Sequence, residues 1–187
     1  VPANTNDVLK MHKTTGVMTR YNAWPSGMGS TSTSYRPRFR GGAYDAERGL
    51  FWLIPYRWNL IAFLDTTTGG IGKCPYMPNL WAHNSYSMWG AIIHRQFLIA
   101  APRAANMILQ VDMRDCSGSI SGFMNWPSGW STSTYKFRSV VYDGERSAWF
   151  PPESANMIVK LDLDSTAMTG YNTWPAGFVS SSSKFNC

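Results

Sequence analysis

The sequence predicts an all-β fold, a β-propeller of four-stranded antiparallel blades. The first observation behind this is a repeated segment. PANTNDVLKMH, PYRWNLIAFLD, PRAANMILQVD and PESANMIVKLD are headed by Pro2, Pro55, Pro102 and Pro152, an interval of about 50 residues. A period in this range signals a propeller, solenoid or array. The second observation is alternation. Leu60/Ala62/Leu64, Met107/Leu109/Val111 and Met157/Val159/Leu161 form an apolar face in the three later copies, opposite a mixed one. Period two is that of a strand. The third is turn chemistry: Gly, Pro, Asn and Ser/Thr clusters punctuate the chain at short intervals, and no segment keeps a helical period.

The elements follow in order. Residues 1–34 hold the second half of a repeat, with strands at Asp7 to His12 and Val17 to Trp24 around the turn 13–16. Residues 35–85 form the first whole repeat. Its strands are Phe39 to Asp45, Leu50 to Ile54, Leu60 to Asp65 and Ile71 to Met77. Residues 86–134 repeat the plan with Ser87 to Ile93, Phe97 to Ala101, Met107 to Asp112 and Ile120 to Trp126. Residues 135–183 do so with Phe137 to Asp143, Ser147 to Pro151, Met157 to Asp162 and Met168 to Trp174. Residues 184–187 align with Lys136 to Ser139 and begin another first strand. Residues 1–187 are therefore one domain of about 3.75 repeats, either a four-bladed ring closed by both termini or part of a larger propeller.

Tyr142-Asp143-Gly144, Trp149-Phe150-Pro151 and Leu161-Asp162 carry a blade signature. Tyr44-Asp45-Ala46, Trp52-Leu53-Ile54-Pro55 and Leu64-Asp65 repeat it. The pattern resembles the blades of kelch-like, NHL-like and streptogramin-lyase-like propellers over nearly the whole chain. The resemblance implies a propeller and supplies no active site.

Composition narrows the function classes. Hydrophobic residues make up 44% and charged residues 15% of the 187 residues, which suits an ordered globular chain. The apolar runs are too short for a membrane span, and the opening residues show no secretory signal pattern. The net charge of +6 favours acidic partners, without a basic run that selects nucleic acid. Cys74, Cys116 and Cys187 lack metal-ligand spacing. Cys74 and Cys116 are a candidate disulfide, since they fall near the same face of adjacent repeats. No metal and no cofactor is expected.

Candidate sites gather on one rim, because the connections between strands two and three emerge beside those between blades. Trp24, Trp126 and Trp174 open a WPxG motif, and Trp130 follows one of them. Exposed Trp stacks on sugar rings, although a repeated Trp also suits packing between blades. Trp130, which occurs in one copy, is the better ligand candidate. Arg40 and Arg138, with Arg36, Arg38, Lys136 and Lys184, lie at or before first strands and predict a basic ring facing an anion. The residues enclosed by the Pro…Asn segment vary among copies and are expected to carry specificity; Arg57, Trp58 and Arg103 are the candidates there. Ser30, Thr31, Ser32, Thr33, Ser131, Thr132, Ser133, Thr134, Ser180 and Ser181 are candidate O-glycosylation positions. The repeated Asp65, Asp112 and Asp162, with Asp45 and Asp143, are expected to cap turns, and Asn59, Asn106 and Asn156 to fix loops.

His12, His83 and His94 occupy unrelated repeat positions, and Glu is confined to Glu47, Glu145 and Glu153. No nucleophile, phosphate or zinc-protease motif occurs. The expectation is a non-catalytic extracellular or cell-surface propeller, acting as a structural or adhesive assembly module. Its partners would be other copies, surface proteins or glycans, anionic ones included, and nucleic acid is not an expected partner. The alternative is a multivalent carbohydrate-binding lectin; a propeller lyase or lactonase ranks below both.

Overall fold

The computed structural model describes residues 7–26, 28, 39–57, 60–74, 87–114, 120–132, 135–178 and 184–185. Among these the fold is all-β and its sheets are blades. β1 (Val8–Met11) and β2 (Met18–Tyr21) pair as a two-stranded sheet. The first complete blade runs β3 (Phe39–Asp45), β4 (Leu50–Pro55), β5 (Ala62–Asp65) and β6 (Ile71–Lys73), in that spatial order. The second is β7 (Met88–His94), β8 (Phe97–Pro102), β9 (Ile108–Asp112) and β10 (Ile120–Phe123). The third is β11 (Val141–Tyr142), β12 (Ser147–Phe150), β13 (Ile158–Asp162) and β14 (Met168–Tyr171). Every pairing is antiparallel between sequence neighbours. This is the propeller that the period and alternation predict.

The core consists of junctions between blades, and the alternation decides which side chains enter each. Leu53, Ala62 and Leu64 turn toward the preceding sheet and meet Val8 and Met28. Trp52, Ile54, Ile61 and Phe63 turn the other way, onto Leu98, Ala100, Leu109 and Val111 of the next blade. Ile99, Ala101 and Ile108 then meet Ala148, Phe150, Val159 and Leu161. Each blade thus presents its wholly apolar third-strand face backward and its mixed face forward. Fully burying one such aliphatic side chain is worth about 1.5–3 kcal/mol, so the junctions carry the fold.

Turns hold the blades as expected. Asp65 Oδ1 accepts from the N–H groups of Thr67 and Thr68, and Asp162 Oδ1 from those of Asp164 and Ser165. Asp45 does so for Glu47 and Arg48, and Asp143 for Glu145, Arg146 and Ser147. These bonds hold the carboxyl of Asp143 well below the usual carboxylate range.

Two kinds of expected strand come out shorter. The fourth strands stop before their Trp, because the N–H of Trp24 folds back onto Asn22 O and that of Trp126 onto Met124 O. The first strand of the third blade shrinks from Phe137–Asp143 to Val141–Tyr142, with an isolated bridge between Phe137 and Pro152. In the other blades a bulge with a left-handed glycine, Gly41 or Gly90, spans this point. The third blade has Ser139 there, and Pro151 removes a ladder donor opposite.

Candidate functional site

Along the inner edge, β3 packs on β7 and β7 on β11. Backbone bonds stitch the ends of the blades together at the mouth. Ser87 N–H donates to Tyr56 O, Lys136 N–H to Arg103 O, and Lys184 N–H to Glu153 O. Tyr56, Arg103 and Glu153 are the residues that follow Pro55, Pro102 and Pro152. The repeat therefore delivers three different side chains to equivalent places around one opening.

Their chemistry is complementary. Arg103 Nε and Nη2 donate to Glu153 Oε2 and Oε1 at 2.8 and 3.0 Å, a two-pronged pair in which both residues are buried. Arg138 Nη2 donates to the same Glu153 Oε1 at 2.9 Å. Burial alone would raise the Glu153 carboxyl, but the bonds and charges of Arg138 and Arg103 outweigh it and hold it below the ordinary glutamate value. Arg103 Nη1 also reaches Tyr56 Oη at 3.4 Å, and its guanidinium lies 3.6 Å from the Tyr135 ring centre.

Trp89 occupies the equivalent place between Arg40 and Arg138 on the inner strands. Both guanidiniums stand over it, at 4.8 and 5.0 Å from the ring centre, and Arg103 stands at 5.1 Å. Arg40 also lies 5.2 Å from the Tyr56 ring. Arg40 Nε and Arg138 Nε are buried and have no hydrogen-bond partner among the described residues. Lys136 is buried beside the same segment, and burial pushes its ammonium pKa down. The site thus gathers three guanidiniums at the Trp89 ring, two of which, Arg103 and Arg138, share the Glu153 carboxylate, with Tyr56 and Tyr135 beside them.

The other candidates fall elsewhere. Trp24 stacks on Phe39, with ring centres 5.8 Å apart. Trp126 stacks on Trp130 at 4.6 Å, and Trp174 on Phe178 at 4.8 Å. Trp130 proves less singular than its identity suggests, because Met28, Trp130 and Phe178 occupy the same slot. Each closes a turn by donating its N–H to the carbonyl of Pro25, Pro127 or Pro175. Replacing Trp130 with Phe is therefore expected to change stability by less than about 1.5 kcal/mol. A melting midpoint lowered far beyond that would show that the slot is not interchangeable.

Asn156 fixes its loop as expected. Its Oδ1 accepts from Ser131 N–H at 3.0 Å, and its Nδ2 donates to Gly129 O at 2.9 Å. Those bonds put the Pro…Asn loop and the WPxG turn on one rim. Arg57 is half-buried, Ser131 and Thr132 are exposed, and Cys74 is buried. Trp58, Asn59, Cys116, Cys187, His83, Arg36, Arg38, Ser30, Thr31, Ser32, Thr33, Ser133, Thr134, Ser180 and Ser181 lie outside the described residues. His94 sits at the opposite end of its blade from this mouth, with Nδ1 3.1 Å from Tyr142 Oη. His12 is at the same far end, in the turn after β1, with Nδ1 3.2 Å from Thr15 N. Glu153, like Tyr56 and Arg103, falls among the enclosed loop residues expected to carry specificity, whereas Trp89 and Tyr135 are additions from the structure. Trp89 shares the register of Arg40 and Arg138, and that register was the signal available for it.

No family profile and no curated protein matches the chain. Solved structures do. Virginiamycin B lyase from Staphylococcus aureus is 18% identical with a TM-score of 0.66, over 95% of this chain and 51% of that one. A streptogramin B lyase is 16% identical with a TM-score of 0.64, over 94% and 51%. A chain of a nidogen/laminin complex is 11% identical with a TM-score of 0.58, over 90% and 59%. The chain thus spans about half the length of the lyase chains it matches. At these identities the likeness is one of fold, and the fold is a β-propeller.

Proposed function

We propose that this chain is a non-catalytic adhesive module of the extracellular space or cell surface, which engages acidic glycans at the mouth of its inner edge. One observation carries the reading: Arg40, Arg103 and Arg138 converge on the Trp89 ring, and a single carboxylate, Glu153, serves two of them. Glu153 neutralises about one of the three positive charges, so the cluster keeps an excess that suits an anion. The chain's net charge of +6 draws anionic polymers toward it.

The same geometry argues against catalysis. Glu153, the carboxylate of the cluster, is held ionised by two guanidiniums and is a poor proton donor near neutral pH. His12 and His94 lie at the far end of their blades. A lectin with one site per blade is less well supported, because the repeated Trp side chains spend their faces on Phe39, Trp130 and Phe178.

Oligogalacturonate is expected to bind in a titration, and its methyl ester, neutral but of the same sugar, is expected to bind far more weakly. Arg40→Gln combined with Arg138→Gln should weaken oligogalacturonate binding by about 10- to 100-fold, since each hydrogen bond to a charged group is worth about 1.5–3 kcal/mol and part will be replaced by water. Added salt should weaken it further. Equal binding of acid and ester, or unchanged binding by a folded double variant, would refute the reading.

A further inference from the structure

The cluster at the mouth is not balanced in charge. Arg40, Arg103 and Arg138 stand within 5.1 Å of the Trp89 ring centre, and the carboxylate bonded among them is Glu153. Three guanidiniums and one carboxylate leave a surplus of two positive charges among the described residues. Arginines elsewhere are matched: Arg48 with Asp45, Arg95 with Asp164, Arg114 with Asp112 and Arg146 with Asp162. Arg40 forms no ion pair among the described residues. Its Nε is buried without a hydrogen-bond partner there, as is that of Arg138. Like charges held close together out of water repel strongly, and a buried donor without an acceptor is costly.

We propose, resting on the reading of this mouth as an anion site, that the group it takes is a dianion, the phosphate of a phosphate monoester. Such a group carries about 1.5 to 2 negative charges near neutral pH and three strong acceptor oxygens. Its charge matches the surplus, and its oxygens suffice for Arg40 and Arg138 together. A uronate carboxylate brings one charge and two oxygens, which leaves one guanidinium unmatched. The planar fork of arginine suits phosphate, which it binds through two parallel N–H groups. Glu153 occupies Nη2 of Arg138 and leaves its Nε free for that purpose. The groups packed around the guanidiniums are Tyr56, Trp89, Tyr135, Lys136 and Glu153. Glu153 stays ionised down to acid pH, because Arg138 and Arg103 hold it below its ordinary value. Any charge gained by Lys136 as pH falls would strengthen anion binding. A phosphate that loses its second charge weakens it, so the two effects differ in sign.

Glucose 6-phosphate and glucuronate carry a dianion and a monoanion at the same end of one sugar. Calorimetric titration at about pH 8 is expected to show the phosphate bound at least about tenfold more tightly, the effect of one further hydrogen bond to a charged group. The second phosphate pKa is about 6, so between about pH 8 and 5 its affinity should fall about tenfold while that of glucuronate does not fall. Arg40→Gln removes one of the two surplus charges and should erase the preference. Inorganic phosphate separates the sources: binding as tight as the sugar phosphate assigns the site to free phosphate, and weaker binding assigns it to a phosphorylated sugar. Glucuronate bound as tightly as glucose 6-phosphate, a phosphate affinity that ignores pH, or a folded Arg40→Gln variant that keeps the full preference would each overturn the proposal. Oligogalacturonate that binds where the phosphate does not would overturn the dianion and leave the anion site standing. Phosphate that binds where oligogalacturonate does not would support the dianion and remove the uronate.

Discussion

Glu153→Gln is expected to destabilise the protein by about 3–5 kcal/mol, the usual consequence of removing one partner of a buried ion pair. Glu153 is 2% and Arg103 6% exposed, and the carboxylate serves Arg103 at 2.8 and 3.0 Å and Arg138 at 2.9 Å. The amide keeps the shape but leaves the guanidinium of Arg103 buried without a counter-charge, 3.6 Å from a tyrosine ring. Domains of ordinary stability have about 5–15 kcal/mol in all, so much of the margin would go. Chemical denaturation checks the loss. Arg103→Leu combined with Glu153→Leu should cost less than Glu153→Gln alone, since the pair then leaves together and apolar side chains fill its place. A Glu153→Gln variant as stable as the parent would mean that the triad is not formed.

The same carboxylate predicts an acid response, with a definite sign. Its folded pKa lies below the ordinary value, so folding favours the ionised form. The stabilisation is complete above the unfolded value, about 4.3 for glutamate. It fades as pH falls through the lowered folded value. The gap in stability between the parent and Glu153→Gln should therefore be constant near neutrality and narrow below about pH 4. A gap that instead widened in acid would contradict a depressed Glu153.

Much of the fold was legible because the propeller writes its period into the chain. Phe39–Asp45 was bounded correctly from its terminal turn and its aromatic start. The third strands were legible through alternation, and their Asp residues through turn chemistry. The site was half legible. Arg40 and Arg138 were recoverable by register, since equivalent positions of adjacent first strands must line the same edge. Trp89 holds that register in the second blade but carries no charge, so a pattern of basic residues does not include it. The pairing of Arg103 with Glu153 links residues fifty positions apart and requires two guanidiniums to turn inward. Neither side-chain orientation nor the distance between blades is encoded in local pattern. Trp130 is unlike its counterparts by identity, but by slot it stands with Met28 and Phe178.

Gly41→Ala is expected to cost about 3 kcal/mol, through overpacking of about 1–3 kcal/mol and a left-handed backbone costing about 1–2 kcal/mol for any other residue. Gly41 has φ +74°, and a Cβ there would stand 2.7 Å from Gly90 Cα and 2.8 Å from Gly90 N. Both are backbone atoms of the neighbouring inner strand, so no side chain can swing aside. Gly16 supplies the control: its φ is +69°, yet a Cβ there meets nothing within 4 Å. Gly16→Ala should lose only the backbone part, and the difference between the two variants isolates the approach of β3 to β7. That approach also sets the distance from Arg40 to the Trp89 ring, 4.8 Å. Gly41→Ala should thus weaken anion binding even under conditions where it remains folded, while Gly16→Ala leaves binding intact. Equal losses of stability in the two variants would mean that the inner strands can part freely, and a basic cluster resting on their contact could not then be rigid.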